Sequence, residues 1–203
     1  RAAVMQKRMA LRLAGDASFA RKSFANAPAH FSQALLLFDQ TSEPLLWADL
    51  AGELAYCHFC AGRYRESVEL GRKALSIHQR LLPPNDLATV TSMRVLAHSL
   101  KLLADYPASE ALYRKVLQIH KDTVGEGHRF YLTAANDLGS MLRAKGDFAA
   151  AEPLFRVALA GRERLYGTDH ADTLASINDL AGSLRDRKEF TLAEPLYRKA
   201  LEG

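Results

Sequence analysis

The feature that most limits how this chain can fold is that it repeats itself every 42 residues. Phe130 to Gly161 lies on Asp172 to Gly203 without a gap, and 15 of the 32 aligned positions are identical. Shared residues include Leu132/Leu174, Asn136/Asn178, Asp137/Asp179, Leu138/Leu180, Leu142/Leu184, Arg143/Arg185 and Phe148/Phe190, followed by Ala-Glu-Pro-Leu at Ala151 and Ala193. The same step backwards reaches Leu96, Leu100, Tyr106, Glu110 and Arg114, then Leu54, Tyr64, Leu70, Arg72 and Leu75. A degenerate copy precedes these, where Phe31 to Leu35 answers Gly71 to Leu75 at an offset of 40. One domain over 1–203 follows, of about five units: 1–43 (degenerate), 44–85, 86–127, 128–169 and 170–203. A unit this short cannot bury its apolar side alone, so neighbours must stack on one another.

Each unit reads as two helices. Leu132, Ala135, Leu138 and Leu142 recur at three and four residues, the period of one buried helical face. Gly146 then closes the first helix, and Asp147 is placed to accept from the free amides that open the second. Phe148, Ala151, Phe155, Ala158 and Leu159 form the next stripe, which ends before Gly167. Pro153 and Pro195 fall just past the first turn of their helices, a moderate cost and a site for a kink. No strand-like alternation is sustained, so the fold class is all-α.

These residues resemble the tetratricopeptide repeat family, in its 42-residue variety found in kinesin light chains and bacterial multidomain proteins. The small-and-large signature matches at Leu138, Gly139, Leu142, Ala151, Phe155 and Ala158, and again at Leu180, Ala181, Leu184, Ala193, Tyr197 and Ala200. Ala14 departs from it in the large-leucine position, and Pro83-Pro84 replaces a glycine-containing linker. The resemblance implies a right-handed superhelical solenoid of antiparallel helix pairs. It also implies a concave groove lined by the first helix of each pair, taking an extended peptide or a partner helix.

Carried onto this chain, the groove residues would be Tyr56 and Phe59, then Arg94, His98 and Lys101, then Asn136, Ser140 and Arg143, then Asn178 and Arg185. Asp49, Gly52, Cys60, Thr91, Leu102, Thr133, Ala175, Gly182 and Asp186 share the same helix face. The aromatic pair would make an apolar patch, and Arg94, Lys101, Arg143 and Arg185 a cationic ladder suited to carboxylates. Asn136 and Asn178 could bond a peptide backbone without reading its side chains. Asparagine is a poor helix former, so its recurrence inside adjacent helices asks for a reason beyond helix stability. The expected partner is a protein or peptide, acidic and partly hydrophobic.

Composition narrows the alternatives. A formal charge of +4, from 27 basic and 23 acidic residues spread along the chain, biases towards acidic partners but falls short of a nucleic-acid signature. Cys57 and Cys60 are the only cysteines, too few for a disulfide framework, and a reducing, cytoplasmic setting fits. No apolar run approaches the ~20 residues that span a bilayer, and Arg1 to Arg8 lacks a signal-peptide core. No membrane partner is expected. The chain starts at Arg1 and stops at Gly203 within the pattern, which predicts a piece of a longer polypeptide.

Catalysis and cofactors are not expected. Cys57-His-Phe-Cys60 is a lone pair without the further ligands a zinc site needs. His128 and His170 stand one repeat apart, roughly 10 Å on helix-packing distances, too far to share an ion. They read as linker residues bonding a helix end. No phosphate-binding glycine loop, serine elbow or HExxH motif occurs. The function expected is a non-catalytic interaction scaffold, with self-association through the exposed solenoid ends, Phe190 to Leu201 in particular, as the alternative.

Overall fold

The computed structural model describes residues 27–202, and the reading of Ala14 and the opening helix of the first repeat lies outside them. Nine helices are formed by the described residues: α1 (Ala27–Leu35), α2 (Pro44–Cys60), α3 (Tyr64–Leu81), α4 (Leu87–Leu102), α5 (Tyr106–Val124), α6 (Arg129–Lys145), α7 (Phe148–Tyr166), α8 (Ala171–Asp186) and α9 (Phe190–Glu202). There is no strand among these residues. The second helices α3, α5, α7 and α9 begin at residues 64, 106, 148 and 190, three steps of 42. The repeat in the sequence is thus a repeat in space. Packing divides the chain into two compact units, 1–105 and 106–203, so the boundary falls inside the expected repeat 86–127, between its two helices.

The turns explain the register. At residues 62, 104, 146 and 188, one repeat apart, the backbone is left-handed, with φ of 75, 61, 89 and 65°. The following amide donates to a carbonyl five residues back in every case, Arg63 to His58, Asp105 to Leu100, Asp147 to Leu142 and Glu189 to Leu184, at 2.8–2.9 Å. This is the glycine-terminated helix ending that satisfies carbonyls left over at a C-terminus. Only Gly62 and Gly146 adopt it without strain; Ala104 and Lys188 hold the same turn against the preference of an L side chain. Asp147 caps α7 by accepting from the Ala150 amide at 3.2 Å. The α7 helix runs unbroken through Pro153.

In the first unit α2 packs on α1, α3 and α4, and α3 packs on α4. Phe31, Ala34, Leu50, Leu54 and Cys57 form one apolar cluster, and Ala48, Ala51, Ala74 and Ile77 a second. In the second unit α6 packs on α5, α7 and α8, and α8 on α7 and α9. Its core is the predicted stripe: Leu132, Ala135, Leu138 and Leu142 of α6 against Ala151, Phe155 and Ala158 of α7, all fully buried. Burying a phenylalanine side chain contributes roughly 1.5–3 kcal/mol, and Phe155 can sit so deep because Gly139 has no side chain. A Cβ there would stand 3.1 Å from the ring.

Polar bonds recur with the repeat. Glu110 accepts from Arg114 one turn on and from Lys145 of the next helix, both at 2.9 Å. Glu152, one repeat later, is paired with Arg156 at 2.6 Å and with Arg187. The hydrogen bond from Lys145, then that from Arg114, holds the Glu110 carboxyl below its ordinary pKa.

Candidate functional site

In the first unit, α1, α2 and α4 line a half-open cavity of about 830 Å³. Four of the expected groove residues line it: Tyr56 and Phe59 from α2, and Arg94 and His98 from α4. Their spacing along two neighbouring helices is what brings them together, since three- and four-residue steps fall on one face. The Tyr56 and Phe59 rings stack at 6.0 Å, and His98 meets Phe59 edge-on at 5.7 Å. His98 Nδ1 donates to the Arg94 carbonyl at 2.8 Å, which fixes the ring. Burial, and then the neighbouring Cys60, keeps the Tyr56 phenol above its ordinary pKa. Lys101, the fifth expected residue of this unit, is half-buried near the end of α4 and does not line the cavity.

Three carboxylates also face this cavity: Asp49, which the sequence places on the groove face, and Glu53 and Asp86, which it does not. Asp86 caps α4, accepting from the Ala88 amide at 2.9 Å. Asp49 is held from behind. His78, only 2% exposed, places Nε2 3.2 Å from Asp49 Oδ1 and Nδ1 2.9 Å from Ser92 Oγ. A carboxylate can only accept, so Nε2 donates to Asp49, while Nδ1 bonds the Ser92 hydroxyl. One signal was legible, since Asp49 stands where the later repeats have Thr91, Thr133 and Ala175.

In the second unit the expected residues lie on α6 and α8. Asn136 donates its amide to Asp179 Oδ2 at 2.8 Å, and Arg143 Nε donates to Asp186 Oδ2 at 2.7 Å. Each bond spans 43 residues, one repeat and one position further. Gly182 makes the second possible, because a Cβ there would meet the Arg143 guanidinium within 2.9 Å. Arg185 closes on the same Asp186 at 3.0 Å. Burial would raise the Asp186 carboxyl, but hydrogen bonds from Arg143 and then Arg185 outweigh it and hold the pKa low. The two cations therefore already share an anion, and Asn136 already spends its donor on the neighbouring repeat. Asn178 is exposed and Ser140 half-buried.

The recurrence of these helix pairs decides the family: the profile of the tetratricopeptide repeat matches residues 45–122, 92–164 and 130–203. The chain belongs to the tetratricopeptide repeat family. Solved structures similar to it include BtubC (BKLC) from P. vanneervenii, 21% identical over 95% of this chain and 77% of that one, with a TM-score of 0.79. A Podosopora anserina chain of nearly identical TPR-like repeats, assigned to kinesin light chain, is 19% identical over 98% and 93%, with a TM-score of 0.80. A Rap protein complexed with competence and sporulation factor is 16% identical over 97% of this chain and 53% of that one, at 0.77. No curated protein matches.

The reactive-looking residues of this tetratricopeptide repeat protein have structural roles. Burial, then Cys60 and Glu53, pushes the Cys57 thiol up to about 12, and burial raises Cys60, so neither forms a nucleophilic thiolate near neutrality. His128 and His170 cap α6 and α8, their Nδ1 atoms accepting from the Phe130 and Asp172 amides at 3.2 and 3.1 Å. Ser92, His78 and Asp49 resemble a hydrolase triad only in composition. Ser92 lies inside α4, where its backbone amide is used by the helix and is not free to receive an oxyanion. Among the described residues no helix is long and apolar enough to cross a membrane, and no group of metal-ligating side chains converges.

Proposed function

We propose that this protein is a non-catalytic scaffold that holds a peptide or a segment of a partner protein on the faces of its first helices. The observation that carries this reading is the cavity between α2 and α4, whose aromatic wall and polar side chains have the make-up of a side-chain receptor. The Rap structure was solved with competence and sporulation factor, which fits a fold suited to holding such ligands. On the α6 and α8 face, an acidic ligand would take Arg143 and Arg185 by displacing Asp186, with Asn178 exposed beside them.

A peptide array probed with the purified chain supplies binders, whose affinities are then measured by fluorescence anisotropy. Acidic binders should lose affinity about tenfold with Arg143→Glu and Arg185→Glu together, a loss measured well below the melting temperature, which falls because Asp186 loses both cations. They should gain affinity with Asp186→Asn, which removes the competing anion. Acidic peptides that bind the double variant as well as the parent would end the acidic assignment.

A second reading is favoured by one observation. Glu194 of α9 is 66% exposed, whereas its counterpart Glu152 on α7 is 10% exposed beneath the next repeat, and Phe190, Leu192 and Leu201 are also open. Such a face suits self-association. Sedimentation across a hundredfold concentration range separates the two, since an unchanging monomer removes this reading and leaves the first intact.

A further inference from the structure

We infer that the cavity of the first unit receives a cationic side chain, a lysine or arginine of the held segment, rather than an acidic one. This rests on the scaffold reading and names the ligand chemistry of one of its sites. Among the described residues, Asp49 and Asp86 bring carboxylates to the cavity wall, as does Glu53, which has a partner of its own, against one guanidinium, Arg94. Low-dielectric walls strengthen whichever sign dominates, and here the negative sign does.

The cavity is shaped for such a group. Lysine and arginine bring an apolar stem and a charged end, and the stacked Tyr56 and Phe59 rings offer the stem a flat wall. Aromatic faces also attract cations, an effect worth about 0.5–1 kcal/mol at exposed sites. A glutamate would place its charge against Asp49 and Asp86, both of its own sign.

Asp49 is positioned for this role, and the internal repeat shows it. Arg162, equivalent to His78 one repeat pair later, is likewise buried and bonds Ser176 at 2.6 Å, which is the equivalent of Ser92. That bond staples one repeat to the next. In the later pair, however, the residue equivalent to Asp49 is Thr133, and the staple ends at the serine and the Asp172 carbonyl. In the first unit a histidine replaces the arginine, and its second nitrogen reaches Asp49, whose side chain remains 37% open to the cavity. That bond fixes the carboxylate at the cavity wall. Burying an imidazole is costly unless both nitrogens are bonded, and here both are.

The test uses the whole chain, labelled with nitrogen-15, titrated with four probes of one backbone: the N-acetyl methylamides of lysine, arginine, norleucine and glutamate. The lysine and arginine probes should shift the Gly52 and Thr91 amides and bind about fivefold tighter than norleucine, the preference a half-exposed ion pair supplies. Asp49→Asn should remove most of that preference. Asp86→Ser should lower it too, and serine keeps the α4 cap, so a second variant remains if the first fails to unfold cooperatively. Norleucine or glutamate binding as well as lysine, or a lysine preference untouched in both variants, would overturn the inference. The scaffold reading fails separately: an array without binders, beside lysine-dependent shifts at Gly52, would remove that reading and keep this site. Binders indifferent to replacing each of their lysines and arginines by norleucine would do the reverse.

Discussion

Gly161→Ala tests whether the second unit is packed as closely as its distances say. A Cβ at residue 161 would lie 2.6 Å from one Leu132 methyl carbon and closer still to the other. Leu132 is 1% exposed, so its branched end can move only by shifting core neighbours, and its Cγ too would stand 3.0 Å from the new Cβ. Overpacking of this kind costs about 1–3 kcal/mol, and two obstructed methyls place it in the upper half. Alanine in a helix interior recovers up to about 1 kcal/mol relative to glycine. The net destabilisation is then about 1–2 kcal/mol, read as a lower urea midpoint by far-UV circular dichroism, because the single tryptophan, Trp47, lies in the other unit. Leu132→Ala alone should cost about 2–5 kcal/mol. Together the two should cost at least about 1 kcal/mol less than their sum, since the new methyl occupies part of the emptied space. A Gly161→Ala protein as stable as the parent, or strict additivity in the pair, would refute the reasoning.

Further outcomes follow from single bonds. Lys188→Gly and Ala104→Gly should each stabilise by up to about 1 kcal/mol, because residues 188 and 104 have positive φ; unchanged melting temperatures would remove the strain argument. His170→Ala should destabilise by about 1 kcal/mol and His170→Asp much less, since aspartate restores an acceptor for the Asp172 amide, as thermal unfolding would show. The Glu110 and Asp186 carboxyls are held below their ordinary pKa by their cations. Their contribution should therefore be fully present above about pH 5 and fall away as acid carries the pH down through the lowered folded values. Glu110→Gln and Asp186→Asn should flatten that dependence in acid-unfolding curves.

The fold was legible because each unit states the same instructions several times. Leu132, Leu138, Phe155 and Ala158 stand at spacings that only a helix places on one face, and all of them are core. Part of the candidate site's geometry was legible as well. Tyr56, Phe59, Arg94 and His98 do meet around one cavity. The cationic ladder was read from the cations alone, and Asp186, on the same predicted face, takes up both Arg143 and Arg185. The recurrence of Asn136 asked for a reason, and in its case the reason is the bond to Asp179 across the repeat. Such a partnership joins residues 43 positions apart, and helical periodicity orders only residues within a few turns of each other.

Local chemistry was enough to set the helices, their left-handed endings and the stacking of like on like, because those depend on neighbours within one turn or on a pattern that repeats. What required the folded chain was the electrostatics. Whether a charged side chain stays open to a ligand or is neutralised from the next repeat depends on sub-ångström reach, as Gly182 shows by leaving room for one guanidinium. Whether a buried histidine is inert or holds a carboxylate at a cavity wall depends on what its second nitrogen meets, and His78 meets Asp49.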